Sequence, residues 1–353
     1  MEYGCIAEHL AHSFSKEIHA KLADSSYELC ELSPSEVGAF LTRRDFRGIN
    51  VTIPYKQTVI PYLDEISPIA KRIGAVNTII NREGKLYGDN TDFWGMKYLL
   101  EREQIVLKDR SVLIFGTGGT SRTARAVAEH LGAVRIGIVS RQESPEAMTY
   151  AQAAQQFRDA QVVINTTPAG MYPQEETVPY SLSLGDFPHL EGVLDAIYHP
   201  LRSELVLAAR ARGVRASGGL TMLVMQAAVA AERFLGVPLP QDRLEEIDRE
   251  IRTSKENLVL IGMPGCGKSS VGAELAKKYN RRLIDTDQEL KIATGMTPAD
   301  MIRECGEAAF RDAESEIVRY VAQQNGSVIA TGGGVVLREE NVRRLRRNGR
   351  LVF

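Results

Sequence analysis

Short apolar runs alternate with helical patterns along nearly the whole chain. Ser111–Phe115, Arg135–Val139, Gln161–Ile164, Gly192–Leu194, Leu258–Ile261 and Ser327–Ala330 read as strands. Helical stretches of about 10–15 residues lie between many of them, the signature of βαβ units and parallel sheets. The pattern predicts an α/β fold. Two highly charged stretches, Glu101–Arg110 and Gln241–Glu256, interrupt it and are candidate linkers. The second also reads as a solvated helix face. No internal repeat or low-complexity tract is present.

The most specific local pattern is Gly262-x-x-x-x-Gly267-Lys268-Ser269, between the strand Asn257–Ile261 and a helical pattern over Ser270–Tyr279. Glycines let backbone N–H groups turn onto phosphate oxygens, and a helix N-terminus adds a favourable field. Lys268 supplies a point charge for the outer phosphates, and Ser269 can reach a Mg²⁺ ion. The loop Gly262, Gly265, Cys266, Gly267, Lys268, Ser269 and Ser270 is therefore expected to bind ATP. A second glycine-rich turn, Gly116-Thr117-Gly118-Gly119-Thr120-Ser121, joins strand Ser111–Phe115 to a helix over Arg122–Leu131. Such a turn suits a dinucleotide pyrophosphate. The next strand ends at Val139 and is followed by Ser140-Arg141, where an NAD site places an acidic residue. A cation there suits a 2′-phosphate, which favours NADP.

Composition narrows the class. Of 353 residues, 44% are apolar and 25% charged, as in ordinary globular protein. The net charge of −2 gives no general attraction to nucleic acid or to an anionic membrane. No run approaches the roughly 18 apolar residues of a membrane span, and the first residues lack the pattern of a signal peptide. Cys5, Cys30, Cys266 and Cys305 have no CxxC spacing and read as reduced thiols of a cytoplasmic protein. The six histidines show no metal-ligand spacing.

The first hundred residues are rich in small polar groups at turn-like sites: Ser13 and Ser15, Thr52 and Lys56, Asn77, and Asp92. Hydroxyls, an amide, one lysine and one aspartate suit a small polyhydroxylated acid. In order along the chain, AHSFSKEIH, NVTIPYK, GAVNTI, GDNTDFWG, INTTPAGM, LDAIYHPL and GGLTMLVMQAA resemble the motifs of shikimate dehydrogenases, from Tyr3 to about Ile247. The resemblance implies that Ser13, Ser15, Thr52, Asn77, Asp92, Tyr198 and Gln226 hold shikimate, and that Lys56 and Asp92 are the catalytic pair. It also implies that Gly116 to Ser121, Ser140, Arg141, Ala196 and Gly219 contact NADP(H). Lys16, Ser140 and Thr221 depart from the family's usual Pro, Asn and Gly; none is a reacting group.

Beyond the phosphate loop, the strand-like Leu283-Ile-Asp285-Thr-Asp287 points two carboxylates the same way, and Gly306-Glu-Ala-Ala-Phe310-Arg311 and Gly332-Gly333-Gly334 follow. This order resembles shikimate kinases. The resemblance implies that Ser269 and Asp285 serve Mg²⁺, and that Asp287, Arg311, Gly332, Gly333 and Gly334 bind shikimate. It stops at Phe353, before the lid arginine, a second substrate-binding arginine and the adenine-binding segment of such kinases. A C-terminally truncated module of poor or absent activity is thus expected, unstable as an isolated 257–353 fragment. The expected organisation is a shikimate dehydrogenase-like substrate domain at 1–96, completed by 218–247, a Rossmann NADP domain at 97–217, a linker at 248–256 and a truncated P-loop kinase domain at 257–353. The expected activity is NADP-dependent reduction of 3-dehydroshikimate fused to shikimate phosphorylation, in a cytoplasmic monomer or homodimer acting on small molecules. A quinate/shikimate dehydrogenase using NAD, and a non-catalytic metabolite sensor with a nucleotide-binding tail, are the alternatives.

Overall fold

The computed structural model describes residues 1–10, 14–22, 26–173 and 184–353. The chain divides into two compact units. The described residues of 1–169, 178–198 and 208–249 form one, and those of 170–177, 199–207 and 250–353 the other.

The first unit carries two six-stranded sheets. One is built from β1 (Tyr3–Ala7), β2 (Tyr27–Glu31), β3 (Gly48–Val51), β4 (Glu65–Ile66), β5 (Thr78–Arg82) and β6 (Lys85–Asp89), in the order β2-β1-β3-β5-β6-β4. β1, β2 and β3 are parallel, while β5 runs antiparallel to both its neighbours. The other holds β7 (Ser111–Phe115), β8 (Arg135–Ser140), β9 (Met148–Thr149), β10 (Val162–Asn165), β11 (Gly192–Asp195) and β12 (Arg215–Ser217), in the order β12-β11-β10-β7-β8-β9. All its pairings are parallel, and the chain order reverses between β7 and β10. A crevice outside the carboxyl ends of the strands at such a reversal is where open α/β sheets bind ligands.

Two helices tie this unit together. Thr91–Arg102 follows β6, and Leu220–Leu235 follows β12. They meet closely at Gly95, where a Cβ would lie 2.5 Å from the Met222 carbonyl oxygen, so only glycine permits the approach. Phe93, Met96, Leu99 and Leu100 of the first helix pack with Val112, Ile114, Val127, Leu194 and Met222 in one buried cluster. On the returning helix Met222, Met225 and Phe234 are buried. Val224, Ala227 and Ala230 are buried with them, while Leu223 and Val229 are only half-buried.

Within the stretch expected as a linker, residues 248–255 are helical, as the end of Gln241–Lys255. Most of its charges face solvent, while Leu244, Ile247 and Ile251 recur at helical spacing and are buried, as is Asp248, which pairs with Arg102 at 2.7 Å. Glu101–Arg110 is helical through Arg102 and then runs as turns to β7.

The second unit contains a parallel sheet of β13 (Asn257–Leu260), β14 (Leu283–Asp285), β15 (Val328–Ala330) and β16 (Gly349–Val352), in the order β14-β15-β13-β16. Val259, Ile284, Ile329, Phe310, Val318 and Leu345 form its core. His199–Leu207 belongs to this unit: Arg202 pairs with Glu256 at 2.8 Å and donates to the Gly349 carbonyl at 2.8 Å. Among the described residues, no helix is long and apolar enough to cross a membrane.

Met96 is fully buried, and truncation there leaves a cavity that neighbours fill only in part. Met96→Ala is expected to destabilise the first unit by about 2–5 kcal/mol. Urea denaturation followed by fluorescence of Trp94, the one tryptophan of the sequence, measures it; a loss below about 1 kcal/mol would mean that this cluster does not hold the unit.

Candidate active sites

Lys56 and Asp92 come together in the first unit from separate elements. Lys56 follows β3 in a turn segment, and Asp92 lies in the first turn of Thr91–Arg102, where the helix field favours a carboxylate. Lys56 Nζ donates to Asp92 Oδ2 at 2.6 Å, with side chains 20% and 13% exposed. The pair is thus largely withdrawn from water yet reachable by a small molecule. The Lys56 carbonyl accepts the Val76 N–H at 2.8 Å, which fixes the turn.

Asn77 anchors the adjoining groups. Its Oδ1 accepts the Thr91 N–H at 2.7 Å, and Thr91 Oγ1 lies 3.4 Å from Gln226 Oε1. Gln226 Nε2 donates to the Leu223 carbonyl at 2.9 Å. One hydroxyl therefore links Asn77, beside β5, to Gln226 on the returning helix. Thr52 follows β3, its N–H bonded to the Ile6 carbonyl at 3.1 Å. Ser15 opens the helix Ser15–Leu22, and the preceding Phe14 packs on Tyr198 with ring centroids 5.3 Å apart. Burial raises the Tyr198 phenol, and Cys5 adds to the rise. Burial pushes the Cys5 thiol up to about 12, so it is a neutral packing group. Ser13 lies outside the described residues.

The glycine-rich turn stands at the reversal between β7 and β10. Gly116 has φ +108°, and a Cβ there would meet Thr166 Oγ1 at 2.7 Å. Thr166 follows β10 and donates to the Phe115 carbonyl at 2.6 Å, so the two strand ends are pinned together. Gly118 is the N-cap of helix Gly119–His130, and space around Gly118 and Gly119 is open. Thr117, Thr120 and Ser121 complete the turn, Ser121 being buried. At the end of β8, Ser140 Oγ accepts the Gln142 N–H at 3.2 Å and turns the chain, leaving Arg141 exposed. Arg141 has no ion-pair partner among the described residues. Ala196 and Gly219 also meet: a Cβ on Gly219 would fall 2.2 Å from the Ala196 carbonyl. These positions follow the C-terminal ends of β7, β8, β11 and β12, the side on which open parallel sheets bind ligands.

In the second unit the phosphate loop follows β13. Gly262, Gly265 and Gly267 all have positive φ, and Cys266 is exposed between them. Lys268 and Ser269 open the helix Lys268–Tyr279, and Ser270 follows them. Lys268 Nζ donates to the carbonyls of Gly262 and Met263 at 2.9 and 2.8 Å. Ser269 Oγ donates to Asp285 Oδ2 at 2.7 Å, so a hydroxyl and a carboxylate share one spot, a donor set suited to Mg²⁺. The two aspartates do not alternate along one strand as expected. β14 ends at Asp285, whose Oδ1 accepts the N–H groups of Asp287 and Gln288 at 3.0 and 3.2 Å. That cap starts a helix at Thr286 and places Asp287 in its first turn.

Arg311 pairs with Glu314 at 3.0 Å and Glu307 at 3.3 Å. A Cβ on Gly332 would lie 2.7 Å from Asp287 Oδ1 and 3.2 Å from Glu314 Oε1; one on Gly334 would strike Arg311. Gly333 is as crowded against Pro264. The triple glycine is thus the surface against which Asp287, Arg311 and Glu314 converge. Sequence reasoning missed Glu314; its signal was the i,i+3 spacing from Arg311 on one helix. It also missed Thr91, which stands at the helix start next to Asp92.

Although the residue as a whole is exposed, partial withdrawal of its carboxyl from water, then the neighbouring Asp285, raises the Asp287 pKa, with Lys268 opposing. A carboxyl whose folded pKa exceeds its unfolded value costs stability above that range, and the cost fades as pH falls toward about 4. Asp287→Asn is expected to raise the Tm of the second unit at pH 7 by about 1–3 °C, the gain being limited because the residue is exposed. The gain shrinks at pH 4. Calorimetry at both pH values checks this; a lower Tm at pH 7 would contradict it.

Comparison with known proteins gives two family matches. Residues 5–79 match the shikimate dehydrogenase substrate binding domain, and residues 264–353 match shikimate kinase. The NADP(+) shikimate dehydrogenase of Clostridium beijerinckii is 35% identical over 247 residues, covering 65% of this chain and 90% of that protein. A shikimate 5-dehydrogenase of Thermus thermophilus, solved with NADP(H) and shikimate, superimposes with a TM-score of 0.63 at 29% identity, covering 71% of this chain and 99% of its own. A chorismate mutase/shikimate 5-dehydrogenase fusion protein of Clostridium acetobutylicum gives 0.65 at 32% identity, over 70% and 96%.

Proposed function

Since the chain belongs to the shikimate dehydrogenase family, we propose that its first unit interconverts 3-dehydroshikimate and shikimate with NADP(H). The observation that carries this reading is the 2.6 Å Lys56–Asp92 pair beside Asn77, Thr91 and Gln226.

Reduction of a ketone to an alcohol adds a hydride to carbon and a proton to oxygen. NADPH, when bound along Gly116–Ser121, Ala196 and Gly219, supplies the hydride. Lys56 holds the proton for the carbonyl oxygen and takes it back in the reverse direction. Asp92 orients the ammonium and accepts a hydrogen bond from a substrate hydroxyl; its charge also keeps Lys56 from being a lone buried cation. Asn77, Gln226, Thr52, Tyr198 and the Ser13–Ser15 segment bind the ring hydroxyls and the carboxylate. Arg141 recognises the 2′-phosphate of the cofactor.

For the second unit the reading is phosphoryl transfer from ATP to a shikimate hydroxyl, supported by the family match and by the convergence of Asp287, Arg311 and Gly332–Gly334. The loop Gly262–Ser270 binds the phosphates, and Lys268 neutralises their charge. Ser269 and Asp285 would hold Mg²⁺, which screens the phosphate oxygens when bound. Asp287 orients the attacking hydroxyl, and Arg311 clamps the substrate carboxylate. The two activities would act in sequence, since the product of the first is the substrate of the second. Calorimetric ATP binding without transfer to shikimate would make this unit a nucleotide-binding module instead.

Lys56→Ala is expected to lower kcat/KM for shikimate oxidation by about 10²–10⁴-fold, measured on protein that circular dichroism shows to be folded. Steady-state NADPH formation measures it; activity within about threefold of wild type would remove Lys56 as the proton carrier. Arg141→Ala should cost about 10–100-fold in kcat/KM with NADP and leave NAD turnover nearly unchanged. Equal losses with both cofactors would refute the 2′-phosphate assignment.

A further inference from the structure

His19 closes the AHSFSKEIH segment but has no part in the chemistry above. It is 5% exposed, and its ring stacks on that of Tyr27 with centroids 3.9 Å apart and planes 7° from parallel. Phe234 of the returning helix flanks it at 6.1 Å. Burial lowers the His19 pKa to about 3 and raises the Tyr27 phenol, so both rings are neutral near pH 7. The phenol is therefore a fixed hydroxyl donor in a buried slot.

A chain of hydrogen bonds starts from that hydroxyl. Tyr27 Oη donates to Asn50 Oδ1 at 2.7 Å. Asn50 Nδ2 donates to Thr78 Oγ1 at 3.1 Å, and Thr78 Oγ1 donates to Asn77 Oδ1 at 3.0 Å. The direction follows from the atoms. The Asn50 oxygen can only accept from Tyr27, so its nitrogen faces Thr78. Thr78 has accepted one bond and has a single proton left to give. Thr91 Oγ1, 3.1 Å from Thr78 Oγ1 and 3.2 Å from Asn77 Oδ1, closes the group, while the Thr91 N–H donates to the same Asn77 oxygen at 2.7 Å. Asn77 Oδ1 is thus saturated by the protein. Asn77 Nδ2 has no hydrogen-bond partner among the described residues, although the residue is 3% exposed.

We propose that Tyr27, Asn50 and Thr78, with His19 seated against the phenol, are positioning residues that lock the Asn77 amide so that its Nδ2 donates to a hydroxyl oxygen of bound shikimate. The proposal rests on the dehydrogenase reading of this unit. An unlocked amide would spend part of its time flipped, presenting an oxygen where a donor is needed, and would weaken substrate binding. It would change proton transfer at Lys56 far less.

The test uses the full chain. Tyr27→Phe keeps the ring on His19 and removes the first donor; Thr78→Val keeps the shape and removes the last. Each is expected to weaken shikimate binding by about 3–10-fold in calorimetry, with KM for shikimate rising in step. KM for NADP stays unchanged, and kcat falls less than KM rises. The double variant should bind no more than about twofold weaker than Thr78→Val alone, because links of one chain are not additive. Wild-type affinity in both single variants, a lowered Tm with affinity unchanged, or losses that multiply in the double variant would each overturn the proposal. Shikimate binding without NADPH formation by the wild type would sink the catalytic reading, and the affinities of the variants would still decide the chain. A wild type that does not bind shikimate overturns both.

Discussion

The Lys56–Asp92 ion pair is the contact on which the first unit's arrangement turns. It joins the turn after β3 to the start of Thr91–Arg102 across 2.6 Å. Each partner makes the other tolerable, since a half-buried charge left alone costs far more than the pair contributes. The helix that carries Asp92 is held in turn by Leu220–Leu235 through the Gly95 contact, and by Asn77 through the Thr91 N–H. Residues more than a hundred positions apart thereby set one ammonium group to within a hydrogen bond. Positioning of that accuracy is what a proton transfer requires.

The glycine-rich turns of the two units share one plan and differ in its details. In each, a parallel strand runs into a glycine turn and a helix N-terminus. In the first unit Gly116 leaves room for Thr166 and the turn stays open at Gly118 and Gly119. In the second, the loop curls around Lys268, while the crowded glycines lie elsewhere, at Gly332–Gly334. There the glycines admit the carboxylates of Asp287 and Glu314 at Gly332, Pro264 at Gly333 and the Arg311 guanidinium at Gly334. The raised carboxyl of Asp287 shows a cost accepted near such a site, where like charges gather in partial burial.

Much of this was legible in the sequence because the decisive signals are local. A strand, a glycine turn and a helix are neighbours along the chain, so the turn at Gly116–Ser121 and the loop at Gly262–Ser270 could be placed without a structure. Arg141 could be read from its place one residue past a strand end. The misreadings came where a local signal was ambiguous. Asp285 and Asp287 fit a strand by alternation, yet Asp285 is also a strong N-cap, and the cap decided the outcome. The charged run Gln241–Glu256 hid three buried apolar positions, Leu244, Ile247 and Ile251, at helical spacing. What the sequence did not display was long-range partnership. Nothing in Tyr27, Asn50 or Thr78 alone points to Asn77, because the chain forms only when β2, β3 and β5 lie in one sheet. Glu314 likewise acquires meaning only against Gly332 and Arg311.

The most direct test of the central claim is the initial rate of NADPH formation when the full chain is mixed with shikimate and NADP⁺, compared with the rate when NAD⁺ replaces NADP⁺. The arrangement of Lys56, Asp92 and Arg141 predicts rapid NADP⁺ reduction and a rate with NAD⁺ lower by at least about tenfold. Folded protein that reduces neither cofactor would contradict the assignment of this unit as a shikimate dehydrogenase.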